Sequence, residues 1–408
     1  MGWRSTWKRR RMSAEGTAAE GTPQWNLTIS SELEMVQDTV RKFVLQELRP
    51  LERDVDIADD IDPATVRALR TKAARLGLVG FNIPAALGGG GVGALGEVLI
   101  GTEVGRTSIP LGETVGRLPQ AIVFASAEQR QWLLNPALKG EVTACVALTE
   151  PDAGSDLAGI QTCARPHADG WILDGSKVFI SNAETSDYIF VLAVTDASAD
   201  LRHRFTTFIL DRDSPGLTIG RRFRKLGWNG YHISAFSLQD CALGSDRVLG
   251  RVGAGFDTLI AAVNSMRLYI AARCLGAAEE LLRLAAEFAQ TRHTFGKRLG
   301  SHQAIQFMLA DMDVGIEAAR GLIYAAAWKS ETSSPDFRIA ASRAKLFATE
   351  MAGRVADSAL QIFGGAGFMA DLPIERMYRD LRGYRIGEGT SEMQRIQIAR
   401  HVLARSDG

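Results

Sequence analysis

Trp171-Ile-Leu-Asp-Gly-Ser-Lys-Val-Phe-Ile180 is the stretch on which the architecture turns. Its apolar residues flank Asp174-Gly175, a dipeptide that readily takes the positive φ angles of a tight turn. The stretch therefore reads as two strands joined in a hairpin. Downstream, Tyr188-Ile-Phe-Val-Leu192 and Thr206-Thr-Phe-Ile-Leu210 are short apolar runs bounded by turn residues. Several such runs without helices between them, over residues 142–250, predict a compact antiparallel β-barrel or sandwich.

The texture changes on both sides of this block. Over 27–141 the apolar spacing is helical. Val36, Val40, Phe43, Val44 and Leu48 recur at three and four and stop at Pro50. A second run carries Val66, Leu69, Ala73 and Leu76 and ends at Gly77, and a third passes through Val98 to Val104. From 251 to 408, Leu259–Gln290, Gln303–Lys329 and Arg338–Phe363 read as long helices with short connections, hence a bundle. Helices, then sheet, then more helices is an α+β multidomain order, not the alternation of a doubly wound sheet.

The chain has 408 residues, 46% of them hydrophobic and 23% charged. Lys plus Arg and Asp plus Glu each total 47, so the net charge is zero. No general attraction to nucleic acid or an anionic membrane follows from that balance. No run approaches about 18 consecutive apolar residues, so no membrane span is expected. Cys145, Cys163, Cys241 and Cys274 are far apart and form no C-x-x-C pair. They read as thiols of a reducing compartment, the cytoplasm or, in a eukaryote, the mitochondrial matrix. No metal site is expected. Residues 1–26 carry the basic run Trp3-Arg-Ser-Thr-Trp-Lys-Arg-Arg-Arg11 without an apolar core. They read as a disordered tail rather than a secretory signal.

Two glycine motifs mislead. Gly88-Gly-Gly-Gly-Val-Gly93 fits G-x-G-x-x-G literally, but Phe81-Asn-Ile-Pro84 before it makes a poor strand, and no βαβ unit surrounds it. Gly364-Gly-Ala-Gly367 follows a helical run and reads as a helix cap and turn.

Other motifs are more specific. Ala147-Leu-Thr-Glu-Pro-Asp-Ala-Gly-Ser-Asp-Leu-Ala-Gly159 closely resembles one signature of the acyl-CoA dehydrogenase family. Gln361-Ile-Phe-Gly-Gly-Ala-Gly-Phe368, followed by Asp371, Arg376 and Asp380, resembles a second. Arg292-His-Thr-Phe-Gly296 and the run from His302 to Met312 are similar to the family's helix connection and following helix. Glu388-Gly-Thr-Ser-Glu-Met-Gln-Arg395 is similar to its catalytic loop. The resemblance spans about residues 28 to 405. It implies an N-terminal helical domain, a middle β domain and a C-terminal four-helix bundle, with FAD between the last two. It also implies a homotetramer or homodimer, an acyl-CoA substrate and an electron-transfer flavoprotein as partner.

Desaturating an acyl thioester requires loss of an α proton and a β hydride. The α C–H is a weak acid, so the site must polarise the thioester carbonyl and supply a base. The resemblance makes Glu388 that base, with its own backbone N–H donating to the carbonyl. Burial beside thioester and flavin is expected to raise its pKa. Read without the resemblance, Glu388 is a first-turn acid favoured by a helix dipole. Some relatives carry the base on a bundle helix, where this chain has Met266, which holds no exchangeable proton.

By the same resemblance, Val146, Leu148 and Thr149 run along the flavin, and Ser155 meets its pyrophosphate or the substrate. Phe179, Ile180 and Ser181 stand beside the ring, with Phe179 also an inward strand residue and Ser181 near N5. Arg292, Phe295, Gln303, Gln361, Gly364 and Gly365 hold the adenosine diphosphate end across a subunit boundary. Thr390 and Glu392 close over the cofactor; for Glu392, exposed helix surface is an equal reading. Asn264, Arg267 and Gly389 face the acyl thioester, with a structural ion pair as the alternative for Arg267. Gly387 stands where many straight-chain members have Tyr, predicting room for a branched, cyclic or otherwise bulky acyl group. Tyr231 and His232 replace small hydroxyl residues, and His232 reads as a packing residue. Two other activities stay open: an acyl-CoA oxidase, and a catalytically silent subunit of a hetero-oligomer.

Overall fold

The computed structural model describes residues 29–404. The expected basic tail lies outside them.

The N-terminal part begins with α1 (Ser31–Phe43), whose Ser30 side chain accepts from the Leu33 N–H and so satisfies one free donor of the first turn. Val40, Phe43, Val44 and Leu48 are all buried, as their spacing requires. Pro50 does not end the path. It occupies a 3-10 turn at Arg49–Leu51, where its missing N–H is tolerated, and α2 (Glu52–Ala58) follows directly. The second run is α3 (Pro63–Arg75), with Asp62 as N-cap and Pro63 in its first turn. Gly88–Gly93 is a loop folded back on its predecessor: Gly91 N–H donates to Ile83 O and Val92 N–H to Phe81 O. Among the described residues no strand precedes it. Helix α4 (Gly93–Val104) has eight buried residues and runs through the interior.

The middle part is an eight-stranded sheet: β1 (Ala144–Ala147), β2 (Cys163–His167), β3 (Gly170–Ser181), β4 (Tyr188–Val194), β5 (Phe205–Asp211), β6 (Leu217–Arg222), β7 (Ile233–Gly244) and β8 (Val248–Leu249). The order is β6-β7-β3-β2-β4-β5-β8, with β1 beside β4. Pairing is antiparallel except that β1 and β2 each meet β4 in parallel. Strands β4 and β5 are buried on both faces, which is why their sequences are continuously apolar.

The expected hairpin at Asp174-Gly175 is not there. Residues 170–181 form one strand, and the chain reverses earlier, at Ala168-Asp169, between His167 and Gly170. Gly175 marks a register shift against β7, where a Cβ would stand 2.5 Å from Thr162 Oγ1. Its glycine serves a close approach within the sheet, not a turn.

The C-terminal part is a bundle of α5 (Gly255–Thr291), α6 (Gln303–Glu331) and α7 (Phe337–Phe363). Helix α8 (Pro373–Gly383) packs on α7, and α9 (Ser391–Ala404) lies along it. Gly364, at φ 59°, caps α7 and donates to Leu360 O. Alanines at 271, 272, 278, 285, 319, 326, 344, 348, 352 and 356 line the helix contacts, so the axes approach closely. Polar ties lock the parts together. Buried Glu52 accepts from Thr107 Oγ1, the Ser108 N–H and Arg376 Nη2, the last at 2.7 Å. Among the described residues no helix is long and apolar enough to cross a membrane.

Candidate active site

The loop from Tyr384 to Thr390 joins α8 to α9, and its shape is set by what holds its carbonyls. Gly389 O accepts from Lys345 Nζ at 2.8 Å and Gln394 Nε2 at 2.9 Å. Glu388 O accepts from Arg267 Nε at 3.4 Å and Gln394 Nε2 at 3.5 Å. Thr390 Oγ1 accepts from the Met393 N–H, capping α9. With both carbonyls drawn toward the bundle, Glu388 takes φ 54° and Gly389 φ 85°. A left-handed glutamate is strained, and such strain clusters where geometry matters more than stability. The Glu388 N–H donates to no acceptor among the described residues.

Glu388 is exposed as a residue, while protein atoms crowd around its carboxyl. Desolvation pushes its pKa above the usual carboxylate value, opposed by the charges of Arg117, Arg267 and Lys345. Arg267 is buried and bonds Asn264 Oδ1 at 3.1 Å and Gln397 Oε1 at 3.2 Å, so it is a hydrogen-bonding post rather than half of an ion pair. Met266 packs against the same extended core as Val146 and Leu148.

In the sheet, Thr149 O accepts from the Val178 N–H at 3.0 Å. That bond draws β3 out of register with β7 between Lys177 and Ile180, a β-bulge that re-aims the side chains. Phe179 sits in the bulge at φ 58° and is 63% exposed, its ring 5.3 Å from that of Phe223. The expectation of an inward Phe179 is thus corrected. Ile180 is the residue turned into the core, at 3% exposure, leaving only its backbone for a ligand. Ser181 is half-buried, Ser155 exposed on its loop.

The adenosine-end residues lie elsewhere. Arg292 ends α5, and Phe295 occupies the tip of a two-stranded hairpin at φ 51°, 97% exposed. Gln303 opens α6, and Gln361, Gly364 and Gly365 end α7; all are exposed. Phe288 stacked on Phe363 at 4.3 Å puts the ends of α5 and α7 side by side. Arg267 and Arg292 are 25 residues apart on one helix, about 37 Å at 1.5 Å per residue. One chain therefore does not bring its two groups of expected residues together. Glu392 faces solvent beside Arg395 and is hydrogen-bonded to the Thr390 side chain at the start of α9.

His232 is held between Asp60, 2.8 Å from Nε2, and Glu184, and ties the sheet to the N-terminal part. Tyr231 packs edge-on against Trp228, and burial pushes its phenol up. A cavity of about 480 Å³, walled by Glu97, Gln120, Phe124, Ser265 and Leu268, includes none of the expected residues.

Sequence reading missed Lys345, Gln394, Gln397 and Arg117. It also missed Lys177 and Glu150, whose side chains meet at 2.8 Å next to the Leu148–Thr149 segment.

Models of three successive domains match the chain: acyl-CoA dehydrogenase N-terminal domain over residues 30–141, middle domain over 145–241 and C-terminal domain over 253–403. The chain belongs to the acyl-CoA dehydrogenase family. It is 36% identical to a probable acyl-CoA dehydrogenase of Bacillus subtilis, over 93% of this chain and 100% of that one. It is equally identical, at 36%, to the human mitochondrial short-chain specific enzyme, over 91% and 90%. Identity is 34% to (R)-benzylsuccinyl-CoA dehydrogenase of Thauera aromatica, over 93% and 97%. Among solved structures, butyryl-CoA dehydrogenase of Megasphaera elsdenii superposes with a TM-score of 0.86 at 32% identity, over 93% and 100%. A chain from work on the electron transferring flavoprotein of Acidaminococcus fermentans superposes at 0.87 with 33% identity, over 93% and 99%.

This acyl-CoA dehydrogenase is an oxidoreductase acting on CH–CH groups, of an FAD-dependent family. Its residues fit that cofactor. Thr149 offers a hydroxyl with no protein partner among the described residues, beside an outward aromatic at Phe179. A Cβ at Gly364 or Gly365 would meet nothing within 4 Å, which leaves room for a diphosphate to approach the backbone.

Proposed function

We propose that Glu388 takes the α proton of an acyl-CoA thioester, yielding the trans-2-enoyl-CoA. The carrying observation is the combination of an unengaged Glu388 N–H and a desolvated carboxyl on one residue. The N–H is placed to polarise the thioester carbonyl, which acidifies the α C–H. A carboxylate partly deprived of water is the stronger base that this proton demands. FAD, when bound, supplies the acceptor for the β hydride. Arg267, through Glu388 O, and Lys345 and Gln394, through Gly389 O, keep the N–H aimed at the thioester carbonyl oxygen and the carboxyl at the adjacent α carbon. Asn264 and Gly389 border the thioester.

Val146, Leu148, Thr149, Phe179 and Ser181 form the flavin side, and Ser155 meets pyrophosphate or substrate. Arg292, Phe295, Gln303, Gln361, Gly364 and Gly365 take the adenosine diphosphate of a second subunit's FAD. The distance along α5 and the exposure of Phe295 favour this division, in a homotetramer or homodimer. Electrons leave to an electron-transfer flavoprotein. Gly387 favours a bulky acyl group: a Cβ there would meet only Gly383 O, at 3.8 Å, so nothing fills the space a larger residue would take.

The test is anaerobic bleaching of bound flavin by a panel of acyl-CoAs. Wild-type protein is expected to bleach. Glu388→Gln is expected to keep its FAD absorbance and not bleach; unchanged bleaching in that variant would remove Glu388 from the role. Reoxidation by oxygen as fast as by an electron-transfer flavoprotein would make the enzyme an oxidase instead.

A further inference from the structure

Lys345 is a lysine with no evident structural reason to be where it is. It lies in the middle of α7, fully buried, among Ala341, Ala344 and Ala348. It forms no salt bridge among the described residues; its one hydrogen bond from the ammonium goes to Gly389 O at 2.8 Å. Taking an ammonium out of water costs several kcal/mol even after relaxation, and a single carbonyl offsets only part of that. A methionine would fill the same volume in this alanine-rich core without the penalty.

What the ammonium does is local. The carbonyl it holds belongs to the residue after Glu388, within the two-residue left-handed segment. Gln394, itself fully buried, holds the same carbonyl from the other side at 2.9 Å. Releasing the 389–390 peptide would free the C-terminal side of the left-handed turn and leave only the longer bonds to Glu388 O, at 3.4 and 3.5 Å, to hold Glu388 in place. The clamp opposes this with a charge-assisted bond, roughly twice as strong as a neutral one.

We propose that Lys345 is a positioning residue for the reaction, anchoring the turn that carries Glu388 through Gly389 O and holding a positive charge near the Glu388 carboxyl. The inference rests on Glu388 being the base. The groups facing Lys345 are Cys274 and Arg267 on α5, Glu350 one turn on along α7, and Glu388 on the loop. Burial pulls the Lys345 ammonium down to about 8, with Cys274 the largest influence in the other direction and Arg267 adding to the fall. Below that pH the cation favours the ionised base; above it the cation is lost, and with it part of that effect.

Two variants separate geometry from charge: Lys345→Met removes both, and Lys345→Gln keeps a donor but not the charge. Flavin reduction by acyl-CoA is followed by stopped flow between pH 5 and 10 on FAD-replete protein, with flavin content and thermal midpoint recorded beside it. Lys345→Met is expected to slow reduction roughly 10- to 100-fold, the size of loss that a misplaced reacting group produces. Lys345→Gln is expected to recover most of that rate. In both, the acid limb is expected to move to higher pH, because Glu388 has lost a cation. A merely structural lysine would alter flavin content or the thermal midpoint and leave the pH profile of the loaded enzyme where it was, and that result overturns the proposal. So does Lys345→Met with wild-type rate and profile. If Lys345→Met yields no holoenzyme, the profile of Lys345→Gln decides by the same criterion. Failure of wild-type protein to bleach at all would count against Glu388, and only the variants speak to Lys345.

Discussion

Lys177 Nζ lies 2.8 Å from Glu150 Oε1, and neither side chain has meaningful contact with water. Lys177 also donates to Leu148 O at 3.0 Å, while Glu150 accepts from the N–H groups of Gln161 and Thr162 at 2.7 and 2.9 Å. The pair therefore pins the segment on which Leu148, Thr149 and Ser155 stand. Lys177→Met strands a buried carboxylate and is expected to cost about 3–5 kcal/mol in urea unfolding. Adding Glu150→Gln is expected to return part of that loss, since no bare charge remains. A double variant no more stable than the single one would contradict this account.

The Glu388 carboxyl, raised by desolvation above its ordinary 4.5, gives the pH profile a sign. The base works deprotonated, so flavin reduction falls as pH drops through the raised value. The acid limb of the reduction rate against pH is expected above 4.5 in the free enzyme. A limb at or below that value would mean that desolvation does not govern this group.

Asp380 is fully buried, bonds the Trp228 N–H, and has its carboxyl pushed up to about 6, burial outweighing the charge of Arg376. A raised carboxyl binds its proton more tightly folded than unfolded. Its contribution to stability is therefore full at low pH and declines as pH rises from about 4 to about 6. Asp380→Asn keeps an acceptor for Trp228 and removes the titration. Relative to wild type, the variant is expected to gain roughly 1–3 kcal/mol between pH 4 and 7, read from paired urea midpoints. A constant difference across that range would show that Asp380 does not titrate there.

Gly387 has ordinary backbone angles, and a Cβ there is unobstructed, so Gly387→Tyr is expected to fold with little change in thermal midpoint. The added ring is expected to lower kcat/KM for branched or cyclic acyl-CoAs at least tenfold while sparing short straight chains, as filling a pocket discriminates by size. Equal losses on both would place the acyl group elsewhere.

Much of the fold was legible because periodicity is a local record of burial. Val40, Phe43, Val44 and Leu48 form a stripe wherever the helix packs, and β4 and β5 read as apolar because both faces are covered. Asp174-Gly175 misled because the same dipeptide suits a turn or a close approach, and Thr162, which decides between them, is distant in sequence. Phe179 was misread because alternation assumes an unbroken ladder, whereas a bond to Thr149 O breaks this one. The site's supports were invisible for a related reason. Lys177 meets Glu150 across 27 residues and Lys345 meets Gly389 across 44, and no local pattern marks such pairs. The proposal of Glu388 as base came through family resemblance; position alone would have left it an ordinary first-turn acid.

The length of helix between Arg267 and Arg292 carries a consequence for handling the enzyme. If each end grips a different flavin, then holding the cofactor and holding a neighbour are one equilibrium, tied by mass action. Dilution loosens both together, and added FAD restores both. Flavin affinity then has no single value for this protein until its concentration is stated.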